Sequence, residues 1–159
     1  AIGCVVDGAP PRIALSEAFP QHAALIGAFY SRFDEMLDHD FPEMTALVER
    51  LAAAGTPLYL LSNAPAFLYE WARGPGRVRH PFLGLFRDYV VSGRVGLMKP
   101  DPAIYDLTCR TGDFRPAEAV FIDDNMPNVE GARAFGLHAI HHRQPAETVA
   151  ALRDLGLPA

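Results

Sequence analysis

Two kinds of apolar run alternate along this chain. Short unbroken runs of four or five residues read as buried strands, and longer stretches with apolar positions three and four apart read as helices. The run Ala119-Val120-Phe121-Ile122 is the clearest strand, buried on both faces, and it ends abruptly in Asp123 and Asp124. Pro127 follows, then a helical pattern through Val129, Ala132 and Phe135 that Gly136 stops. Pro57-Leu58-Tyr59-Leu60-Leu61 predicts a second strand, exiting into Ser62-Asn63. Asp88 to Ser92 and Leu137 to Ile140 predict two more. Ile2 to Val6 is either a further strand, with Asp7 at its exit, or a frayed terminus. Strands alternating with helices predict a parallel sheet covered on both faces.

Between these strands, residues 13 to 54 read as helical. Ala23, Ile26, Phe29, Tyr30, Phe33 and Leu37 keep helical spacing behind Pro20, and core packing accounts for the aromatics among them. Asp38 to Asp40 reads as a loop. Pro42 opens a helix striped by Met44, Leu47, Val48 and Leu51, and Gly55 closes it. Ala66 to Trp71 predicts another helix, broken by Gly74-Pro75-Gly76. Gly93 to Met98 has the shape of a loop or tight hairpin. Asp101 is placed to cap a helix beginning at Pro102, with Ile104, Leu107 and Thr108 on its buried face. A last helix covers residues 145 to 155.

Length adds that 159 residues suit a single domain with a real core. A net charge of −5 argues against nucleic acid as the main partner and supplies no polybasic membrane patch. No apolar run approaches the roughly 20 residues that span a bilayer, and no signal peptide is visible at the start. Cys4 and Cys109 lack metal-type spacing and read as small core residues in a reducing cytoplasm. The cations of the chain are thirteen Arg and one Lys, Lys99. A lysine kept where arginine serves everywhere else points to a compact point charge that a planar guanidinium cannot mimic.

Candidate chemistry gathers at the strand exits, where open α/β sheets bind ligands. Asp123 and Asp124 repel each other and call for a cation; Mg²⁺ suits carboxylate oxygens, while helix capping is the plainer alternative. Ser62 and Asn63 make either an anion cradle or a helix cap. Pro100 stiffens the approach to Lys99. Arg73, Arg77, Arg79 and His80 form a basic cluster, read as a solvated loop with substrate steering as the alternative. His141-His142 lacks a third ligand at metal spacing and reads as surface-exposed.

Leu60-Leu61-Ser62-Asn63, Met98-Lys99-Pro100-Asp101-Pro102 and Val120-Phe121-Ile122-Asp123-Asp124-Asn125 occur in that order. Together they resemble motifs two, three and four of the haloacid dehalogenase (HAD) superfamily, over roughly residues 41 to 143. The wording from Ser92-Gly93 through Lys99-Pro100-Asp101-Pro102-Ala103-Ile104-Tyr105 is similar to the phosphatase branch that includes the N-terminal domain of soluble epoxide hydrolases. The resemblance implies a single HAD-type, Rossmann-like α/β domain over 1–159, with a reduced helical cap at 13–40 and a core at 41–159.

It also implies roles. Ser62 and Asn63 would bind the transferring phosphoryl group, and Lys99 would balance the charge of nucleophile and phosphate. Asp124 would bind Mg²⁺ with Asp123 beside it, and Asn128 would support the metal. The family's first motif is Asp-x-Asp, nucleophile then general acid; here its place falls to Asp7, with Ala9 two residues on. The expected activity is Mg²⁺-dependent hydrolysis of a small phosphorylated substrate through an aspartyl-phosphate, in the cytoplasm, with neither nucleic acid nor membrane as partner. The alternative is a non-catalytic or shortened HAD-fold protein lacking the nucleophile. A 2-haloacid dehalogenase is the third reading, disfavoured because dehalogenases of this fold lack the acid pair.

Overall fold

The structure is a computed structural model that describes residues 11–32, 35 and 41–159. Ile2 to Val6, Cys4, Asp7, Ala9, Phe33, Leu37 and the loop at Asp38 to Asp40 lie outside the described residues. The chain divides into two compact units, Ala1–Asp40 and Phe41–Ala159.

In the first unit, α1 (Pro11–Ala18) leads through a 3-10 turn at Pro20–His22 into α2 (Ala23–Ser31). The aromatics of α2 do not form the expected core. No residue of α2 is buried, and Leu25 and Phe29 are exposed. Tyr30 instead meets Phe29 edge-on at 5.4 Å between ring centres.

The second unit is a layered α/β fold. In chain order it carries α3 (Pro42–Ala53), β1 (Tyr59–Ser62), α4 (Phe67–Arg73), α5 (Pro75–Arg79) and β2 (Asp88–Val91). There follow α6 (Ser92–Val95), α7 (Pro102–Gly112), β3 (Val120–Asp123), α8 (Met126–Phe135), β4 (His138–His141) and α9 (Pro145–Asp154). β1 pairs with β2 in parallel, Ser62 beside Val91, and β3 pairs with β4, Asp123 beside His141. Among the described residues these are two separate parallel pairs rather than one continuous ladder.

Alternation along the strands sorts the core into layers. Val120, Ile122 and Ile140 pack with Leu47 and Leu51 of α3 and Leu152 of α9. Phe121 and Ala139 turn the other way, onto Ile104 and Tyr105 of α7 and Ala132 of α8, where Leu61 of β1 and Val90 of β2 join them. A third cluster sets Tyr89 and Val91 against Ala72 and Leu83.

The expected break at Gly74-Pro75-Gly76 is present: α4 ends at Arg73, Gly74 leaves helical geometry at φ −113° and ψ −109°, and Pro75 opens α5 as a separate helix, a position where its missing N–H costs nothing. Two local expectations need correction. Ser92 to Val95 is a helical turn rather than a hairpin, closed by Gly96 at φ +69°. The buried face of α7 is Ile104, Tyr105, Thr108 and Cys109, with Leu107 only half-buried. The expected cap of that helix is present: Asp101 Oδ1 accepts from the Ala103 N–H at 2.9 Å.

Candidate active site

The carboxyl ends of β1 and β3 meet at Lys99. Its side chain is 8% exposed, and its Nζ donates to Asp123 Oδ2 at 2.6 Å and to the Leu61 carbonyl at 2.9 Å. One ammonium thus ties the end of β1 to the end of β3, two strands that share no ladder. The Phe121 ring centre lies 5.4 Å from the same nitrogen. Ser62 follows Leu61 at the mouth of β1, half-buried.

Asp123 is the most heavily bonded group of the site. Its Oδ1 accepts from the Asn125 N–H and from Asn128 Nδ2, each at 2.9 Å, while Oδ2 takes the ammonium. Burial pushes the carboxyl up, but the hydrogen bonds from Lys99, Asn128 and the Asn125 N–H outweigh it and hold Asp123 below its ordinary range. Behind Asn128 stands Tyr105, fully buried, whose hydroxyl donates to the Asn128 carbonyl at 2.7 Å. Burial first, and the Asp123 charge second, push this phenol up to about 12. Gly131 lets α8 come this close: a Cβ there would stand 2.8 Å from Pro100 Cβ and 2.9 Å from its carbonyl oxygen.

Ser62, Asn63, Lys99, Asp123 and Asn128 therefore converge through named bonds or chain adjacency. Asn63 differs from expectation in what its amide does. Its Oδ1 accepts from the Lys99 N–H at 2.8 Å and its Nδ2 donates to the Lys99 carbonyl at 2.9 Å. Asp124 is exposed at the end of β3, and its carbonyl accepts from His141 Nε2 at 3.0 Å. His141 and His142 are half-buried rather than exposed; His142 Nδ1 pairs with Thr148 Oγ1 at 2.8 Å.

Among the described residues no three His, Cys, Asp or Glu side chains gather as a metal cluster. Asp124 and Asn128 nonetheless offer oxygen donors, the chemistry Mg²⁺ prefers, and Asp123 has its oxygens committed to Lys99, Asn125 and Asn128. The residues present fit such an ion in kind, through Asp124 above all.

Sequence reasoning passed over Tyr105, Gly131 and the hydroxyl of Ser92. Tyr105 carried a legible signal, a hydroxyl-bearing aromatic one residue from the buried Ile104. Gly131, inside a helix, was a second: helical glycine costs stability unless something needs the space.

Comparison with known proteins agrees with this geometry. The family model of haloacid dehalogenase-like hydrolases matches residues 12–136. The sesquiterpene phosphatase astK of Aspergillus oryzae is 31% identical over 70% of this chain and 55% of its own length. The (S)-2-haloacid dehalogenase 1 of Pseudomonas sp. (strain CBS-3) is 29% identical over 63% of this chain and 42% of its own length. The chain thus spans about half the length of these relatives. A crystal structure of an uncharacterized protein from Corynebacterium glutamicum superposes with a TM-score of 0.61 at 26% identity, covering 77% of this chain and 90% of that one. With its motifs in order along the fold and this family match over most of its length, the chain belongs to the haloacid dehalogenase-like hydrolases.

Proposed function

We propose that this chain is a phosphohydrolase that cleaves a small phosphomonoester through an aspartyl-phosphate. The observation that carries the reading is the enclosed Lys99 ammonium, fixed between Asp123 and the carbonyl of Leu61, the residue before Ser62 in the chain. Phosphoryl transfer asks for positioning and for positive charge beside the equatorial oxygens, and little else from the protein. Lys99 supplies the charge, and Ser62 donates to a phosphoryl oxygen.

Asp7 is the proposed nucleophile. Its carboxylate oxygen forms a bond to phosphorus as the ester P–O bond breaks and the leaving oxygen departs with the electron pair. Water then attacks phosphorus, freeing phosphate and restoring the carboxylate. Ala9, in the place of the family's general acid, has no proton for the leaving group. Mg²⁺, held through Asp124 with Asn128 and Asp123 in support, would neutralise phosphoryl charge when bound. The buried free thiol of Cys109 suits a cytoplasmic setting, and no described helix is long and apolar enough to cross a membrane.

Similarity to a haloacid dehalogenase supports a second reading, displacement of halide from a 2-haloacid by the same aspartate. Assaying phosphate release from p-nitrophenyl phosphate and alkyl phosphates, and chloride release from (S)-2-chloropropionate, separates the two. Phosphate from the aryl ester, little from alkyl esters and no chloride is the expected pattern. Chloride release alone would replace the phosphatase reading with the second one.

A further inference from the structure

Two reciprocal clasps hold the loop that follows β1. In the first, the Asn63 amide accepts from the Lys99 N–H at 2.8 Å and donates to the Lys99 carbonyl at 2.9 Å. In the second, Ser92 Oγ accepts from the Ala64 N–H at 2.9 Å and donates to the Ala64 carbonyl at 3.1 Å. The Gly93 N–H adds a bond to the same carbonyl at 3.0 Å. A Cβ at Gly93 would stand 2.5 Å from the Ala66 nitrogen and 2.9 Å from the Ala64 oxygen, so the second clasp closes only over glycine.

The first clasp has a direct consequence for Lys99. Its N–H and its carbonyl are bound to Asn63 and its Nζ to the Leu61 carbonyl, the residues on either side of Ser62. Backbone and side chain of the lysine are therefore indexed to the same short segment that carries Ser62. Few side chains could replace Asn63 here. Serine is shorter, an ionised aspartate cannot donate to the carbonyl, and glutamine is one methylene longer.

We propose that Asn63 is a positioning residue, which sets the Lys99 ammonium at a fixed distance from the Ser62 hydroxyl by clasping the lysine main chain. This deepens the phosphohydrolase reading and rests on it for the kinetics, though not for the clasp itself. Ser92 and Gly93 hold the other side of the same loop, so that Asn63 has a firm base.

Lys99 is the sole lysine, so protein grown on [15N-α]lysine shows a single lysine backbone amide. Hydrogen exchange at that amide reads the clasp without reference to activity. In Asn63→Ala the exchange should quicken about tenfold or more, the order expected for losing a hydrogen bond of this kind. In Ser62→Ala it should stay as in the wild type. With p-nitrophenyl phosphate, Asn63→Ala should lose kcat with KM changed by less than about threefold, since the ammonium is misplaced rather than the substrate unbound. Unchanged exchange in Asn63→Ala, or a defect confined to KM, would overturn the proposal and make Asn63 a direct phosphoryl ligand. A wild type that releases no phosphate while the exchange still rises in Asn63→Ala would uphold the clasp and strike down the phosphohydrolase reading instead.

Discussion

Lys99 Nζ lies 2.6 Å from Asp123 Oδ2, in a pair whose side chains are 8% and 7% exposed. Neither charge can turn to water if its partner is lost. Removing one member of such a buried pair costs about 3–5 kcal/mol, whereas replacing both by apolar groups is often near neutral. Urea unfolding of Asp123→Asn and Lys99→Met should each show a loss of that order. The double variant Lys99→Met/Asp123→Leu should be more stable than either single one. Additive losses in the double variant would mean that the two charges do not depend on each other.

The close fit of the ammonium also predicts that arginine fails at this position. A guanidinium is planar and larger, and cannot sit between Asp123 and the Leu61 carbonyl as a single point. Titration calorimetry with vanadate should find Lys99→Arg nearly as defective as Lys99→Ala. Wild-type affinity in Lys99→Arg would reduce the lone lysine to an accident of composition.

Ser62 and Asp123 stood out in the sequence because each sits where a short apolar run ends, and strand exits are where such folds work, while Lys99 stood out as the sole lysine. Helix limits at Pro42, Gly55, Asp101 and Gly136 followed from capping chemistry, with positive φ at both glycines. What escaped was pairing across sequence distance. Nothing in Ser62-Asn63 announces that the amide will bind the main chain of a residue thirty-six positions on. The division of labour between Asp123, drawn inward to Lys99, and Asp124, left outside, was equally hidden. Adjacent strand residues face opposite sides, but which side holds the lysine depends on the fold. The turn at Ser92 was misjudged for a different reason: two glycines suggested a loop, although one of them merely ends a helical turn.

Tyr105 gives the pH behaviour a definite sign. Its hydroxyl is raised to about 12, first by burial and then by the Asp123 charge. A raised pKa means that the folded state holds the proton more tightly than the unfolded chain. The stability it contributes is complete below about pH 10, the unfolded value, and is lost as pH rises toward 12. Absorbance titration at about 295 nm should therefore show a tyrosine that ionises late, and Tyr105→Phe should remove that late step. An unchanged titration curve in Tyr105→Phe would place the perturbed phenol elsewhere.

The exposed Asp124 carries the metal expectation. A ligand that binds only the folded state raises its melting temperature, by an amount set by concentration over Kd. Mg²⁺ should raise Tm in the wild type, and Asp124→Asn should abolish the rise while keeping the Tm measured without metal. A variant that responds to Mg²⁺ like the wild type would return Asp124 to a surface role.

The central claim, phosphoryl transfer to the Asp7 carboxylate, is tested most directly by steady-state phosphate release from p-nitrophenyl phosphate, comparing the wild type with Asp7→Asn. The account predicts release by the wild type and a loss of at least about a hundredfold in the variant, since without a nucleophile the two-step route closes. Equal rates in the two proteins would contradict it.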